Sequence, residues 1–495
     1  MAVALSTATR EQTRARYPDE SGYVERDGVS LHYEVYGSGE PTVLLLPTWS
    51  IVHSRHWKMQ IPYLARHCRV LSFDGRGNGR SDRPSSGYDE SAFAADALAV
   101  MDATATERAV LVSLSLGAQR ALLLAANEPE RIEAAVFICP AVPLGKPPDA
   151  RVYPWNEELD TDEGWAKYNR HYWLKDYRGF LEFFFSQMFT EPHSTKPIED
   201  CVGWGLETDA ETLIATQLGD SLDSDTAREL AGRLRCPVLV IQGSEDAITG
   251  PGRGVALAEA TGGDLVMLEG SGHGPHVRDP VKVNLLLREL VAPPPPPARW
   301  VRGKSRRKRA LYVSSPIGLG HAQRDAAIAD QLRALHPDLE IDWLAQDPVT
   351  RVLEARGERV HPASRYLANE SGHIESESAE HDLHCFQAIR RMDEILLANF
   401  MVFDDLVRDE QYDLWIGDEA WELDYYLHEN PERKRAAYVW LTDFVGWLPM
   451  QDGGNRESLV TADYNAEMIE HIARFPRLRD RALFVGNPDD VVGES

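Results

Sequence analysis

In the stretch LVSLSLGAQRALLL, residues 111–124, an apolar run breaks into a helix-forming one, with Ser115 at the break. A serine forced into a tight strand-to-helix turn has its hydroxyl pushed out over the sheet. The N–H of its neighbour, Leu116, and the helix N-terminus then face any oxyanion that develops. Such a turn needs small residues two places before and after the serine, here Ser113 and Gly117. The usual pattern is G-x-S-x-G, and this chain has S-x-S-x-G. The competing reading is a serine that only caps a helix. A nucleophilic serine needs a base, and the base needs an orienting carboxylate. PVLVIQGSEDAITG puts Asp246 just past one expected strand, and DLVMLEGSGHGPHVRDP puts His273 past the next, in a glycine-flanked loop. The order Ser, Asp, His suits a parallel α/β sheet. His276 is the rival base and Glu245 the rival acid. The end of AAVFICP, another place for the acid, carries Cys139 and Pro140 and no carboxylate.

The elements that must position these residues are apolar runs alternating with helical stretches. The runs are TVLLLPT, RVLSFDG, AVLVSLS, AAVFICP, PVLVIQG and DLVMLEGS. Continuous Val/Leu/Ile runs, without polar alternation, predict strands buried on both faces of a parallel sheet covered by helices. VSLHYEVYGSG reads as an edge hairpin strand ahead of them. An insertion at about 144–232, rich in Trp and Phe, reads as helical.

VAPPPPPARWVRGKSRRKRA then marks a boundary. Polyproline is stiff, so Pro293–Pro297 predicts a spacer of roughly 15 Å. The basic cluster Lys304, Arg306, Arg307, Lys308 and Arg309 reads as solvated linker. Beyond it the alternation restarts. RALYVSS, EIDWLAQ, ERVHPAS, YDLWIGD, AAYVWLTDF and RALFVGN read as strands, and HAQRDAAIADQLRAL and HCFQAIRRMDEILLANFMVFDDLVRDE as helices. The fold class is α/β in two domains: 22–292, a linker at 293–307, and 308–495.

Composition bounds the function. The chain has 495 residues, 43% hydrophobic and 26% charged, and a formal net charge of −26. That acidity excludes a general nucleic-acid binder. Five scattered cysteines without a CxxC pair argue against a disulfide scaffold or zinc site and fit a cytoplasmic protein. No apolar run approaches the ~18 residues needed to span a membrane. The first twenty residues read as a loose arm and not a signal peptide.

With the Ser, Asp and His in place, residues 22–292 resemble an α/β-hydrolase. FDGRGNGRSDRP is similar to that family's D-x-R-G-x-G-x-S stretch beside the active site. The resemblance implies that the insertion at 144–232 is a lid. It also implies an acyl-enzyme mechanism: His273 deprotonates Ser115, Ser115 attacks a carbonyl, Asp246 holds the imidazole, and water releases the acid. No cofactor or metal is implied. One departure stands out. Where the family has His-Gly after the first core strand, LLLPTWSIVHSRHW has Pro47 and Thr48. Trp49 would then supply the oxyanion-hole N–H beside that of Leu116. His53 and His56 read as loop residues or substrate contacts. A serine at the turn, where related dehalogenases carry aspartate, implies ester, thioester, amide or lactone cleavage or acyl transfer. The aromatic lid favours an apolar or aromatic acyl group on a small-molecule substrate.

YVSSPIGLGHAQRDAAIADQLRAL places a glycine turn, Gly318 to Gly320, between a strand and a helix, with His321 at the helix start. N–H groups there suit an anion or sugar hydroxyls. With YDLWIGDEAWELDYYL and RALFVGNPDD, residues 308–495 resemble the N-terminal half of a GT-B glycosyltransferase. The resemblance implies that His321 activates an acceptor hydroxyl, with a sugar or glycoside as ligand. The half that binds the donor would begin where this chain stops, at Ser495. The second domain is therefore expected to be a binding module or an incomplete enzyme. NESGHIESESAEHDLH, residues 369–384, reads as an exposed acidic loop and not a metal site. Two rivals to the hydrolase are a catalytically idle scaffold and an enzyme transferring glycosyl or acyl groups.

Overall fold

The computed structural model describes residues 12–145, 153–297, 301, 306–378, 384–450 and 453–487. Lys304 of the basic cluster and His381 of the acidic segment lie outside them. The chain divides into two compact units, one of residues 17–293 and one of residues 294–495 together with 1–16.

The first unit is built on eight strands: β1 (Glu20–Arg26), β2 (Val29–Tyr36), β3 (Thr42–Leu45), β4 (Arg69–Phe73), β5 (Ala109–Leu114), β6 (Ile132–Ile138), β7 (Val238–Gly243) and β8 (Asp264–Leu268). Their order is β1-β2-β4-β3-β5-β6-β7-β8. β1 and β2 run antiparallel to their neighbours, and the rest are parallel. β3, β5 and β7 are buried along their whole length. Side chains alternate across a strand, so each central strand feeds two cores. Val110 and Val112 join one, with Val43, Val136 and aromatics of the insertion; Leu111 joins the other, with Leu44, Phe137 and Val240. Each fully buried side chain of this kind contributes ~1.5–3 kcal/mol. β8 departs from the expected two-sided burial. It is the sheet's edge, and Leu265 is exposed.

The helix after β5, Gly117–Asn127, buries Ala118, Ala121, Leu122 and Ala125. Small residues on that face let it lie close to the sheet. The insertion at about 144–232 contains helices Arg170–Lys175, Tyr177–Met188, Thr195–Gly205 and Ala210–Thr216. The helix Ser224–Arg233, inside the stretch read as lid, instead packs Ala227, Leu230 and Ala231 into the sheet-side core with Leu122 and Val240.

The second unit holds a five-stranded parallel sheet of β9 (Arg309–Ser314), β10 (Glu340–Leu344), β11 (Leu414–Asp418), β12 (Ala437–Thr442) and β13 (Arg481–Phe484), in the order β10-β9-β11-β12-β13. Four sequence expectations change here. ERVHPAS is not a strand: Val360 makes one bridge to Trp343, and Pro362 opens a 3-10 turn through Tyr366. The long helix expected from His384 is two, Cys385–Arg390 and Asp393–Asp409. The acidic segment begins as a helix, Glu370–Glu377, with Glu370 and His373 buried. The basic cluster is not free linker. Arg306 makes a forked pair with Asp413 at 2.7 and 3.0 Å, and Arg309 reaches Asp342 at 2.6 Å and Glu410 at 2.7 Å. Residues past Glu11 are also anchored, since the Ala15 N–H donates to Glu394 at 3.0 Å. Among the described residues no helix is long and apolar enough to cross a membrane.

Candidate active site

Ser115 sits between β5 and the helix Gly117–Asn127 with φ = 53°, a left-handed conformation that side chains rarely adopt. Three main-chain hydrogen bonds pin it there. Its N–H donates to Ile138 (3.1 Å), and its carbonyl accepts from Ala118 (3.1 Å) and Ala141 (2.9 Å). Gly117 is required by close approach, because a Cβ there would lie 2.8 Å from the Pro47 carbonyl oxygen. Ser113, in place of the family's first glycine, is fully buried and donates its hydroxyl to Val136 O at 3.0 Å. The neighbouring strand thus absorbs the extra polar atom.

The loops after β7 and β8 bring Asp246 and His273 together. His273 Nδ1 lies 3.0 Å from both carboxylate oxygens of Asp246. Asp246 is buried and also accepts from Gln242 Nε2 (3.0 Å), the Ile248 and Thr249 amides (2.9 Å each) and Thr249 Oγ1 (2.6 Å). Burial alone would raise its pKa. His273 and these donors outweigh that and hold it well below the usual carboxylate range. Nδ1 faces only acceptors, so it carries the proton, and Nε2 is left as the basic nitrogen. The His273 amide donates to Met188 O in the insertion at 2.9 Å. Gly274 is required because a Cβ would meet the Phe189 ring at 2.4 Å. Glu245 is exposed. His276 is buried against His56 and not against a carboxylate.

Ser115, His273, Thr48 and Trp49 line one cavity with Phe184, Phe185 and other residues of the insertion. Its volume is about 30 Å³, so it is narrow. The Trp49 ring is clamped by Trp173 at 5.7 Å and Phe184 at 5.3 Å, and its Nε1–H donates to Thr216 at 2.9 Å. Among the described residues neither the Trp49 nor the Leu116 main-chain N–H has a hydrogen-bond acceptor.

Sequence reasoning missed what holds the Pro47-Thr48 loop. Arg120, buried, donates to Pro47 O (2.8 Å) and Thr48 O (2.6 Å). Its Nε pairs with buried Glu90 at 2.8 Å, and its guanidinium lies 3.6 Å from the centre of the Phe93 ring. Both carbonyls are turned toward the arginine, which fixes the peptide planes leading to the Trp49 N–H. The signal was an arginine on the apolar face of the helix after Ser115.

Two groups among the described residues have metal-ligand spacing: Cys139, Asp246 and His273, and Glu429, Glu467 and His471. In the first, Asp246 has its lone pairs engaged by five donors, and burial pushes the Cys139 thiol well above its ordinary value. That chemistry suits a hydrogen-bonded carboxylate better than a metal ligand. In the second, His471 Nε2 is paired with Glu429 at 2.5 Å.

In the second unit Gly318 has φ = 99° and caps the helix Leu319–Leu335, so Gly320 and His321 lie within its first turn. His321 Nδ1 lies 2.9 Å from Asp418 Oδ2 at the end of β11. Arg324 donates to Asp418 Oδ1 (2.5 Å) and stands 2.8 Å from the same His321 Nδ1. The hydrogen bond to Asp418 raises the His321 pKa against the opposing effect of burial. An opening of about 540 Å³ is lined by Gln346, Asp347, His361 and Arg365, among others, and not by Gly318, Gly320 or His321.

Residues 43–284 match the model of the alpha/beta hydrolase family. The AB hydrolase superfamily protein YisY of Bacillus subtilis is 27% identical over 276 residues, 53% of this chain and 95% of that protein. The 3-oxoadipate enol-lactonase 2 of Acinetobacter baylyi is 25% identical over 260 residues, 52% of this chain and 91% of the relative. The non-heme chloroperoxidase of Streptomyces lividans is 31% identical over 120 residues, 24% of this chain and 44% of the relative. Over matches of 34% and 38% identity the chain spans about two fifths of the curated relative's length. On the matched residues, and on the sheet order that carries them, this chain contains an alpha/beta hydrolase domain.

Proposed function

We propose that the first unit is an esterase-like serine hydrolase that cleaves a carboxylic ester, thioester or related acyl bond through an acyl-enzyme on Ser115. The observation that carries this is the pairing of His273 Nδ1 with both oxygens of a buried Asp246, in a cavity that also holds Ser115. His273 Nε2 takes the Ser115 proton as the hydroxyl oxygen attacks the carbonyl carbon. The imidazolium so formed faces the Asp246 carboxylate, and the oxyanion meets the Trp49 and Leu116 N–H groups. His273 returns the proton to the leaving group. It then draws a proton from water as the water oxygen attacks the acyl-enzyme, and it returns that proton to Ser115 Oγ as the acid is freed. The apolar walls favour an apolar or aromatic acyl group. Fluorophosphonate labelling followed by peptide mapping tests the assignment. Ser115 is the residue expected to carry the label, and labelling elsewhere or full ester turnover by Ser115→Ala overturns it.

A second reading concerns the second unit, and the His321–Asp418 contact favours it. We propose that this unit is a Rossmann-like half-domain related to GT-B glycosyltransferases. It would hold a sugar or other hydroxylated ligand at Gly318, Gly320 and His321. Donor consumption by the full chain with a panel of nucleotide sugars, compared with His321→Ala, separates turnover from binding.

A further inference from the structure

The cavity over Ser115 is mostly apolar. Apart from Ser115, His273 and Thr48, the polar side chains lining it are His56 and His276. Both are buried, at 2% and 0% exposure. His56 Nδ1 lies 3.4 Å from His276 Nε2. The other two ring nitrogens, His56 Nε2 and His276 Nδ1, have no hydrogen-bond partner among the described residues. Leaving a buried polar nitrogen unsatisfied carries its full desolvation penalty. Phenylalanine or leucine would pack the same wall without that cost, so these two nitrogens, one on each ring away from the shared contact, are the polar groups this wall could offer a ligand.

Burial, aided by neighbouring histidines, pushes His56 well below the ordinary histidine value and His276 down to about 3. The pair is therefore neutral near neutral pH. The hydrogen bond between the rings couples their tautomers. If His56 Nδ1–H donates, His276 Nδ1 carries a proton and His56 Nε2 has a free lone pair. If His276 Nε2–H donates, the roles exchange. Either way the pair offers one donor and one acceptor. No lysine or arginine lines the cavity to balance an anion. A hydroxyl, which can accept from one of these nitrogens or donate to the other, matches either tautomer of the pair.

We propose that His56 and His276 form a polar subsite in the acyl pocket, and that the preferred substrate carries a hydroxyl on an otherwise apolar acyl chain. This rests on the hydrolase reading above. The test uses the full chain and 4-nitrophenyl alkanoates of matched length, with and without one hydroxyl stepped along the acyl chain. At one position the hydroxy ester should exceed its parent in kcat/KM by roughly tenfold or more. His56→Phe and His276→Phe should bring that ratio to about one, while His276→Asn, which keeps a donor and an acceptor, should retain part of it. In Ser115→Ala, the hydroxy esters should shift the ring-nitrogen resonances of His56 and His276, and the parents should not. Parents turned over with no preference at any position, or a preference that survives both phenylalanine variants, overturns the subsite and leaves the hydrolase standing. No turnover of any ester, with Ser115 unlabelled by fluorophosphonate, overturns the hydrolase reading. The resonance shifts then decide the subsite alone, and their absence overturns it.

Discussion

Each unit carries a histidine–aspartate pair beyond the ends of parallel strands, and the two pairs are built differently. At His273, Nδ1 faces the Asp246 carboxylate alone, and the other donors to Asp246 are neutral. The tautomer is fixed, and the carboxylate's charge is free to meet an imidazolium when one forms. At His321, Nδ1 lies 2.9 Å from an Asp418 oxygen and 2.8 Å from Arg324 Nη2. One ring nitrogen cannot both donate to the aspartate and accept from the arginine. Arg324 already neutralises Asp418, and a second carboxylate, Asp325, is pushed up to about 7 by burial and by Asp418. The first pair is suited to carrying a transient charge. The second is a standing ion cluster, better suited to holding a ligand than to moving its proton.

The largest effects should come from the first pair. Ser115→Ala and His273→Ala should each lower ester turnover by on the order of 10⁴-fold or more. Asp246→Asn should cost roughly 10⁴-fold, because the amide leaves the wrong nitrogen of His273 protonated. Steady-state kinetics on a 4-nitrophenyl ester measure all three. Activity in Asp246→Asn near that of the parent chain would remove the contrast between the two pairs. The Asp246 pKa is depressed, so its contribution to stability is present above the ordinary carboxylate value of 3.8 and is lost only as pH falls through its lower folded value.

Next is Arg120, under the Pro47-Thr48 loop. Arg120→Met should lower kcat by roughly 10²-fold with a smaller change in KM, the size of losing one oxyanion donor. It also strands Glu90, and breaking a buried ion pair costs ~3–5 kcal/mol. The double variant Arg120→Met, Glu90→Gln should recover much of the melting temperature and little of kcat. If kcat returns with stability, Arg120 only supports the fold.

These residues also show what the sequence could reveal. Asp246 and His273 were legible because each follows an apolar run in a fixed chain order, and strand order alone brings such loops together. Arg120 was not, since its partners Glu90, Pro47 and Thr48 are set by how one helix lies on the sheet. The burial of β8 was overread, because a run of Leu, Val and Met looks the same at a sheet's edge as at its centre. Arg306 and Arg309 looked like solvated linker because Asp413, Asp342 and Glu410 are distant in sequence. Pro362 turned an apparent strand, ERVHPAS, into a 3-10 turn. In each case the missing information is the pairing of side chains far apart along the chain.

The smallest expected effect sharpens the comparison from the other side. His321 has its pKa raised above 6.5, chiefly by the Asp418 hydrogen bond. Arg324, beside the same ring nitrogen, opposes the rise, while Glu419 adds to it. A raised histidine pKa stabilises the folded unit fully below 6.5, and that contribution fades as pH rises through the folded value. Asp418→Asn should lower the His321 pKa, and Arg324→Gln should raise it further, both read by NMR titration of the imidazole. The two shifts should have opposite sign, because the aspartate favours the imidazolium and the arginine disfavours it. If Arg324→Gln left the titration unmoved, the arginine would not be acting on the ring. His321 and Asp418 would then be a simple pair of the same kind as His273 and Asp246, and His321 would become a candidate base in its own right.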